Sequence, residues 1–317
     1  MGKRQTRGNA VQVHGLILVD KPSHITSYAI VDKVKKLFKI KKVGHFGTLD
    51  PLAKGLLLIG LGNAAKFFDF YIKKRKLYSG CIAFGHATTT YDSEGEPLSE
   101  PKPIDLNKID IHALLAGFTG RQMQIPPIYS AKKFKGKPLY KYARENQAGD
   151  INLKPVEVEI FFLEGRVKDE TTLWFKAETS SGTYIRSLAH DMGQKLGVGA
   201  YLKELVREGV GEFHLENAFK PEELAAYVET GEISKVVIPI EALLPEFPKI
   251  IVGPGGRKAV LNGMPLLPGD VTKISPPQKQ DKSLEHFRLF DDEGKLLAIA
   301  RKDPKLMQFN PSIVFPG

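Results

Sequence analysis

Apolar positions recur along this chain with two different periods, and the changes between them outline the fold. Residues 16–19 and 56–59 are short unbroken apolar runs that read as strands, the second of them buried and anchoring the loop before it. Between them Ile30, Val31, Val34, Leu37 and Phe38 recur at helical spacing, with Ser27 as the predicted N-cap and Lys33, Lys36 and Lys39 facing elsewhere. Residues 77–84, 156–163 and 173–178 read as further strands, set apart by turn signals such as Glu94-Gly95 and Asp169-Glu170; the lone Trp174 belongs to the last of them, on a sheet face or in the core. A helix is predicted over 185–196, ended by Gly197, and a second one beginning at 201–206. Two prolines in EALLPEFP, 241–248, break the helical pattern and mark a boundary, after which 250–252, 271–274, 287–290 and 296–300 are short strands of a small β-rich unit. The segment SPPQKQDKSLEH, 275–286, reads as an exposed loop and the first ten residues as a basic disordered tail.

Length and composition narrow the class. A chain of 317 residues has a length prior of about two domains and buries enough surface to need no staple. Its single cysteine, Cys81, forms no internal disulfide and no multi-cysteine zinc site, and points to a reducing cytoplasm and metal-free chemistry. No apolar run reaches the roughly 18 residues that span a bilayer, and MGKRQTRGNA has no apolar core behind its basic residues, so neither membrane insertion nor export is expected. Lys and Arg number 46 against 36 acidic residues, a net charge of +10. The excess is concentrated: residues 121–150 hold seven basic residues against Glu145 and Asp150, and Lys73, Lys74, Arg75 and Lys76 form a second cluster. Charge runs are commonly just solvated surface, but Tyr129, Phe134, Tyr140 and Tyr142 interleave with the first cluster, adding faces for bases to the charge for phosphates.

Candidate chemistry centres on KVGHFGTLDPLAKGLLLIGLG, residues 42–62, where Asp50 stands in a glycine-punctuated loop directly before an apolar strand. Gly44, Gly47 and Gly55 are predicted to take backbone conformations closed to other residues, and Pro51 fixes the turn after Asp50. Within this stretch GHFGTLDPLAKG resembles the catalytic-aspartate motif of the TruB family of tRNA pseudouridine synthases. Four further segments agree in order: LILVDKP at 16–22, TTTYDSEG at 88–95, QIPPIYSAKKFKGKPLYKYARE at 124–145 and GTYIRSLAHDMGQKLGVGAYLKELVR at 182–207. Phe46 and Lys54 depart from it, standing where smaller or uncharged residues are common.

The resemblance implies an α+β fold: a catalytic domain of the pseudouridine synthase type over 11–247, with a mixed or antiparallel sheet and an RNA-clamping insertion at about 121–152, then a PUA-like RNA-binding domain over 248–317. It implies isomerisation of uridine to pseudouridine in the T loop of tRNA, position 55, by base flipping. Asp50 is then the essential carboxylate, Arg186 its partner and Tyr78 an active-site ring for the displaced uracil. His45 would sit beside the displaced nucleotides and Asp92 would support the site by hydrogen bonding, while Lys21 is structural. Lys133, Lys137, Tyr140 and Arg144 of the insertion would contact the T arm. The isomerisation has no net redox change and no outside reactant, so no cofactor and no metal is expected; a monomer is the default. Asp50 either adds to the ribose or abstracts a ribose proton to give a glycal-like intermediate.

Two other classes bear on the same residues. Gly60, Gly62 and Ala65 follow a strand in a Gly-x-Gly-x-x-Ala pattern, but the acidic residue a dinucleotide-binding turn needs about 20 positions later is missing. A non-catalytic tRNA-binding or RNA-remodelling protein would use the same basic surfaces; retention of Asp50, Tyr78 and Arg186 together points away from it.

Overall fold

The computed structural model describes residues 13–130, 132–145, 151, 153–276 and 285–316. The predicted N-terminal tail and residues 277–284 of the predicted exposed loop lie outside the described residues. The chain runs through β1 (Gly15–Lys21), α1 (Ser27–Phe38), β2 (Val43–His45), β3 (Lys54–Leu61), α2 (Phe68–Tyr71) and β4 (Lys76–Phe84). Next come α3 (Ile111–Ala116), β5 (Gly120–Gln124), the small hairpin β6 (Lys133–Phe134) and β7 (Lys137–Pro138), α4 (Leu139–Arg144), β8 (Val156–Asp169) and β9 (Thr172–Thr179). After α5 (Ile185–Lys195) follow β10 (Ala200–Val210), β11 (Phe213–His214), α6 (Pro221–Glu229) and β12 (Ile238–Pro239). The C-terminal part holds β13 (Lys249–Val252), α7 (Pro254–Leu261), β14 (Val271–Ser275), β15 (His286–Phe290), β16 (Leu296–Lys302) and β17 (Phe309–Val314).

Ten strands make one mixed sheet in the order β12-β1-β3-β10-β4-β9-β8-β5, with β2 beside β3 and β11 beside β10. All its pairings are antiparallel except β3 with β10. The unbroken apolar runs have a direct explanation. In β1 and β3 alternate residues enter two different cores: Ile17, Val19, Leu57 and Ile59 pack under α1, whereas Leu16, Leu18, Leu56 and Leu58 pack on the other face with Phe67 and Tyr71. The second core also takes in Phe290, Leu296, Ile299 and Phe315, so the five-stranded C-terminal sheet, β14-β13-β15-β16-β17, shares apolar packing with the large one. Phe67 stacks on Phe315 with ring centroids 5.1 Å apart.

Two local expectations need correction. Residues 201–206 belong to strand β10, not to a helix. Its register against β4 slips between Leu202 and Glu204 and again between Arg207 and Gly209, so buried Leu202 and Leu205 stand three apart, a helical spacing produced by a bulge. The N-cap of α1 is Thr26, whose side chain accepts a hydrogen bond from Ala29 N at 3.1 Å, and Ser27 is the first helical residue. The elements expected from the sequence include none of β5, β17, α3, α6 and α7.

Candidate active site

Asp50 lies in the connection from β2 to β3, and three neighbouring segments hold that connection by its backbone. Ser27 Oγ donates to Leu49 O (2.9 Å) and accepts from Leu49 N (2.8 Å), so the residue expected to cap α1 instead ties the helix to the aspartate loop. On the other side of Asp50, His24 N donates to Pro51 O at 2.7 Å. Lys21 is fully buried: its Nζ donates to Pro22 O and Ile25 O and reaches Pro51 O at 3.4 Å. Burial pulls this ammonium from 10.5 to about 8, with the Asp50 charge acting in the opposite sense. From β10, the buried Arg207 guanidinium donates to Leu56 O (2.8 Å), Thr48 O (3.2 Å) and Gly47 O (3.1 Å), spanning both ends of the loop.

Two of the three predicted glycines have a conformational reason. Gly47 (φ +112°) and Gly55 (φ +104°) lie where L side chains are strained, and a Cβ on Gly55 would stand 2.5 Å from Arg207 O, because β3 and β10 run parallel there. Gly44 differs: it sits within β2 without a positive φ, and a Cβ there would meet open space.

The loop forms one wall of a cleft of about 300 Å³ whose other walls include Lys76, Tyr78, Tyr184, Arg186 and Arg207. Arg186, the second residue of α5, places Nε 2.8 Å from Asp50 Oδ2; the guanidinium is 5% exposed and the carboxylate 37%. Nε has no aligned hydrogen bond, so Asp50 is held there by charge rather than by a directed donor. The other guanidinium nitrogens donate to Thr90 O (3.1 Å) and Tyr129 O (2.8 Å). Asp92 Oδ2 lies 3.6 Å from Arg186 Nε, and its other oxygen accepts from Thr90 Oγ1 and Glu94 N. Burial raises the Asp92 pKa, opposed by the Thr90 hydrogen bond and Arg186. Tyr78 is buried on β4 opposite Arg207 in the register. Burial lowers the Arg207 pKa, opposed by Tyr78 and Asp50. Lys76 is also buried, bonded to the carbonyls of Ile72 and Lys74, and brought to about 8 by burial and by Arg207.

Asp50, Tyr78, Arg186 and Asp92 thus converge. His45 does not line the cleft; it is half-buried on β2, its pKa lowered by burial and by Arg207. Lys137 pairs with Glu145 and lies 4.7 Å over the Tyr142 ring. Lys133 falls on β6, and Tyr140 and Arg144 on α4, but their side chains lie outside the described residues. The stem of this insertion is fastened to α5: Gln124 brackets the Tyr184 backbone through both amide atoms, and Ser187 Oγ donates to Ile125 O at 2.7 Å. Most of the second basic cluster is committed to partners within the protein: Lys74 pairs with Glu212 and Glu246, Arg75 pairs with Glu178 while staying exposed, and Lys76 is buried, which leaves exposed Lys73. Sequence reading missed Lys76 and Arg207 as parts of the site. No simple signal marks Arg207: β10 also carries Lys203, Glu204 and Glu208, and only the two register slips against β4 decide which of its charged residues turns inward.

Comparison with known proteins places these observations in a family. Residues 35–185 match the model for the TruB family pseudouridylate synthase N-terminal domain, and residues 186–245 match the tRNA pseudouridylate synthase B C-terminal domain. The chain is 38% identical to the tRNA pseudouridine synthase B of Solibacter usitatus, over 85% of this chain and 91% of that one. It is 39% identical to the tRNA pseudouridine synthase B of Thermotoga petrophila, over 92% and 90% of the two chains. Its fold aligns at a TM-score of 0.70 with a chain in the structure of an H/ACA RNP bound to a substrate RNA containing 2'-deoxyuridine, at 22% identity over 99% of this chain and 88% of that one. At that identity the likeness speaks for fold alone, and the predicted α+β architecture with a mixed sheet and a β-rich C-terminal part stands.

Proposed function

Since the chain belongs to the TruB family of pseudouridylate synthases, we propose that Asp50 is the carboxylate through which it turns the uridine at position 55 in the T loop of tRNA into pseudouridine. The protein is a tRNA pseudouridine synthase, an isomerase whose reaction breaks the bond from ribose C1′ to N1, turns the base and joins C1′ to C5; N1 gains a proton and C5 loses one. The observation that supports the assignment of Asp50 is its ion pair with the buried Arg186 at 2.8 Å, in a cleft that also presents Tyr78. Arg186 holds the carboxylate by its charge, and the loop clamps at Leu49 and Pro51 fix where it stands. Asp50 then either adds to C1′ or removes a ribose proton, and Tyr78 offers a ring face to the displaced uracil. Asp92 supports Arg186 from behind.

The target uridine must leave its stack, at a cost on the order of a few kcal/mol. Aromatic faces contribute about 1–3 kcal/mol per stacked base, and cations add phosphate interactions. We assign this to the insertion at about 121–152, with Lys133, Lys137, Tyr140 and Arg144 against the T arm, and to His45 beside the displaced nucleotides. Residues 11–247 are taken as the catalytic domain and 248–317 as a PUA-like RNA-binding domain. The enzyme is taken to act as a cytoplasmic monomer; the lone buried thiol of Cys81 suits a reducing compartment.

The test is positional. Unmodified tRNA and the same tRNA with the T-loop uridine changed to cytidine are incubated with the enzyme and mapped for pseudouridine. Product confined to position 55 and lost in the cytidine substrate is expected; product elsewhere would contradict the T-loop assignment.

A further inference from the structure

Tyr91 stands between the two residues of its loop that meet Arg186: Thr90, whose carbonyl accepts from the guanidinium at 3.1 Å, and Asp92, whose carboxylate lies 3.6 Å from Nε. It does so at φ +62°, in the left-handed region, where a side chain bearing Cβ persists only if its surroundings hold it. The backbone supplies part of the hold, Tyr91 N donating to Thr88 O (3.2 Å) and Tyr91 O accepting from Leu202 N (3.0 Å). The ring supplies the rest. It stacks on His190 with centroids 3.8 Å apart and 15° between the planes. His190 lies four residues after Arg186, one turn further along α5 on the same side. Burial lowers the His190 pKa and favours a neutral ring, and its buried Nδ1 has no partner among the described residues, so packing rather than a hydrogen bond from that atom sets the ring's place. Neither Tyr91 nor His190 lines the cleft.

We infer that the Tyr91–His190 stack is a positioning device for the reaction: it clamps the Thr90–Asp92 segment onto α5 so that the Arg186 guanidinium is gripped in the orientation that meets Asp50. Both residues act through Arg186, without touching the substrate. This rests on the reading of Asp50 and Arg186 given above. A strained tyrosine that only closed a turn would not need a partner on the helix that carries Arg186.

The test measures single-turnover tritium release from tRNA labelled at uridine C5, together with the tRNA dissociation constant, on the full chain. The variants are Tyr91→Ala, Tyr91→Gly, Tyr91→Phe, His190→Ala and the Tyr91→Ala/His190→Ala pair. Each loss of a stacking partner should slow release by about tenfold or more while leaving tRNA affinity within about twofold, and the pair should be no slower than either alone. Tyr91→Phe should keep the wild-type rate. Tyr91→Gly removes the backbone strain and should melt no lower than Tyr91→Ala, yet be as slow. Wild-type rates in the stacking variants, affinity losses that match the rate losses, or full activity of Tyr91→Gly would each overturn the inference. A wild-type protein that releases no tritium would instead overturn the proposed function.

Discussion

The cations around the Asp50 loop and those of the 124–145 insertion are held in different ways. Lys21, Lys76, Arg186 and Arg207 are at most 5% exposed, and between them they bind the carbonyls of Pro22, Ile25, Gly47, Thr48, Leu56, Ile72, Lys74, Thr90 and Tyr129. They are frame. In the insertion, Lys135 lies 5.5 Å over the Phe134 ring and Lys137 lies 4.7 Å over Tyr142, at or near the surface. A buried cation is committed to fixed acceptors and cannot reorganise, whereas a cation near the surface on a half-buried ring, even one paired with a carboxylate as Lys137 is with Glu145, can turn to a phosphate and leave the ring for a base. Density of charge in the sequence therefore does not mark the cleft, which is framed by single buried charges.

This contrast can be broken most sharply at Arg207. Arg207→Met leaves the loop carbonyls of Gly47 and Thr48 and the β3 carbonyl of Leu56 without this donor and should cost about 3 kcal/mol or more in urea unfolding, with turnover falling alongside; a variant as stable as wild type would show that the loop stands without it. Arg186→Lys keeps the charge but loses the planar fork that reaches Thr90 and Tyr129, so turnover should drop about 100-fold with tRNA affinity nearly unchanged; retention of the wild-type rate would mean that charge alone suffices. Lys76 tests burial through pH. Its pKa is about 8 in the folded protein against 10.5 for the free side chain. Below pH 8 it is charged in both states, and the burial penalty is felt in full. Between 8 and 10.5 the unfolded chain keeps a proton that the folded chain has released, so stability rises with pH in that window. Measured against Lys76→Met, wild type should gain about 2 kcal/mol from pH 8 to pH 10; a flat difference would mean that Lys76 stays charged. The smallest effect belongs to the insertion, where Lys133→Gln or Lys137→Gln should flatten the salt dependence of tRNA binding by about one unit of slope for each phosphate no longer neutralised, without loss of stability. Unchanged slopes in both would remove these lysines from the interface.

Much of this organisation is legible in the sequence. The two apolar runs 16–19 and 56–59 announce strands, and the GHFGTLDPLAKG motif singles out Asp50, whereas the packing of both strands between two cores emerges only in the fold. What escapes has physical reasons. A bulge in β10 gives Leu202 and Leu205 a helical spacing, which hides both the strand and the role of Arg207. Ser27 looks like a cap because capping and loop-tethering use the same hydroxyl chemistry, and only the position of Leu49 in space separates them. The run Lys73–Lys76 looks like one phosphate-binding patch, yet acidic partners more than a hundred residues away hold Lys74 and Arg75. Gly44 belongs to the motif but carries no backbone requirement of its own.

Asp50, fixed by its clamps and paired with Arg186, is the proposed carrier of the isomerisation. The most direct measurement is tritium release from C5-labelled unmodified tRNA at saturating enzyme, comparing wild type with Asp50→Asn and recording tRNA binding for both. Release by wild type and none by Asp50→Asn, with equal binding, is expected. Release by Asp50→Asn at the wild-type rate would contradict that role.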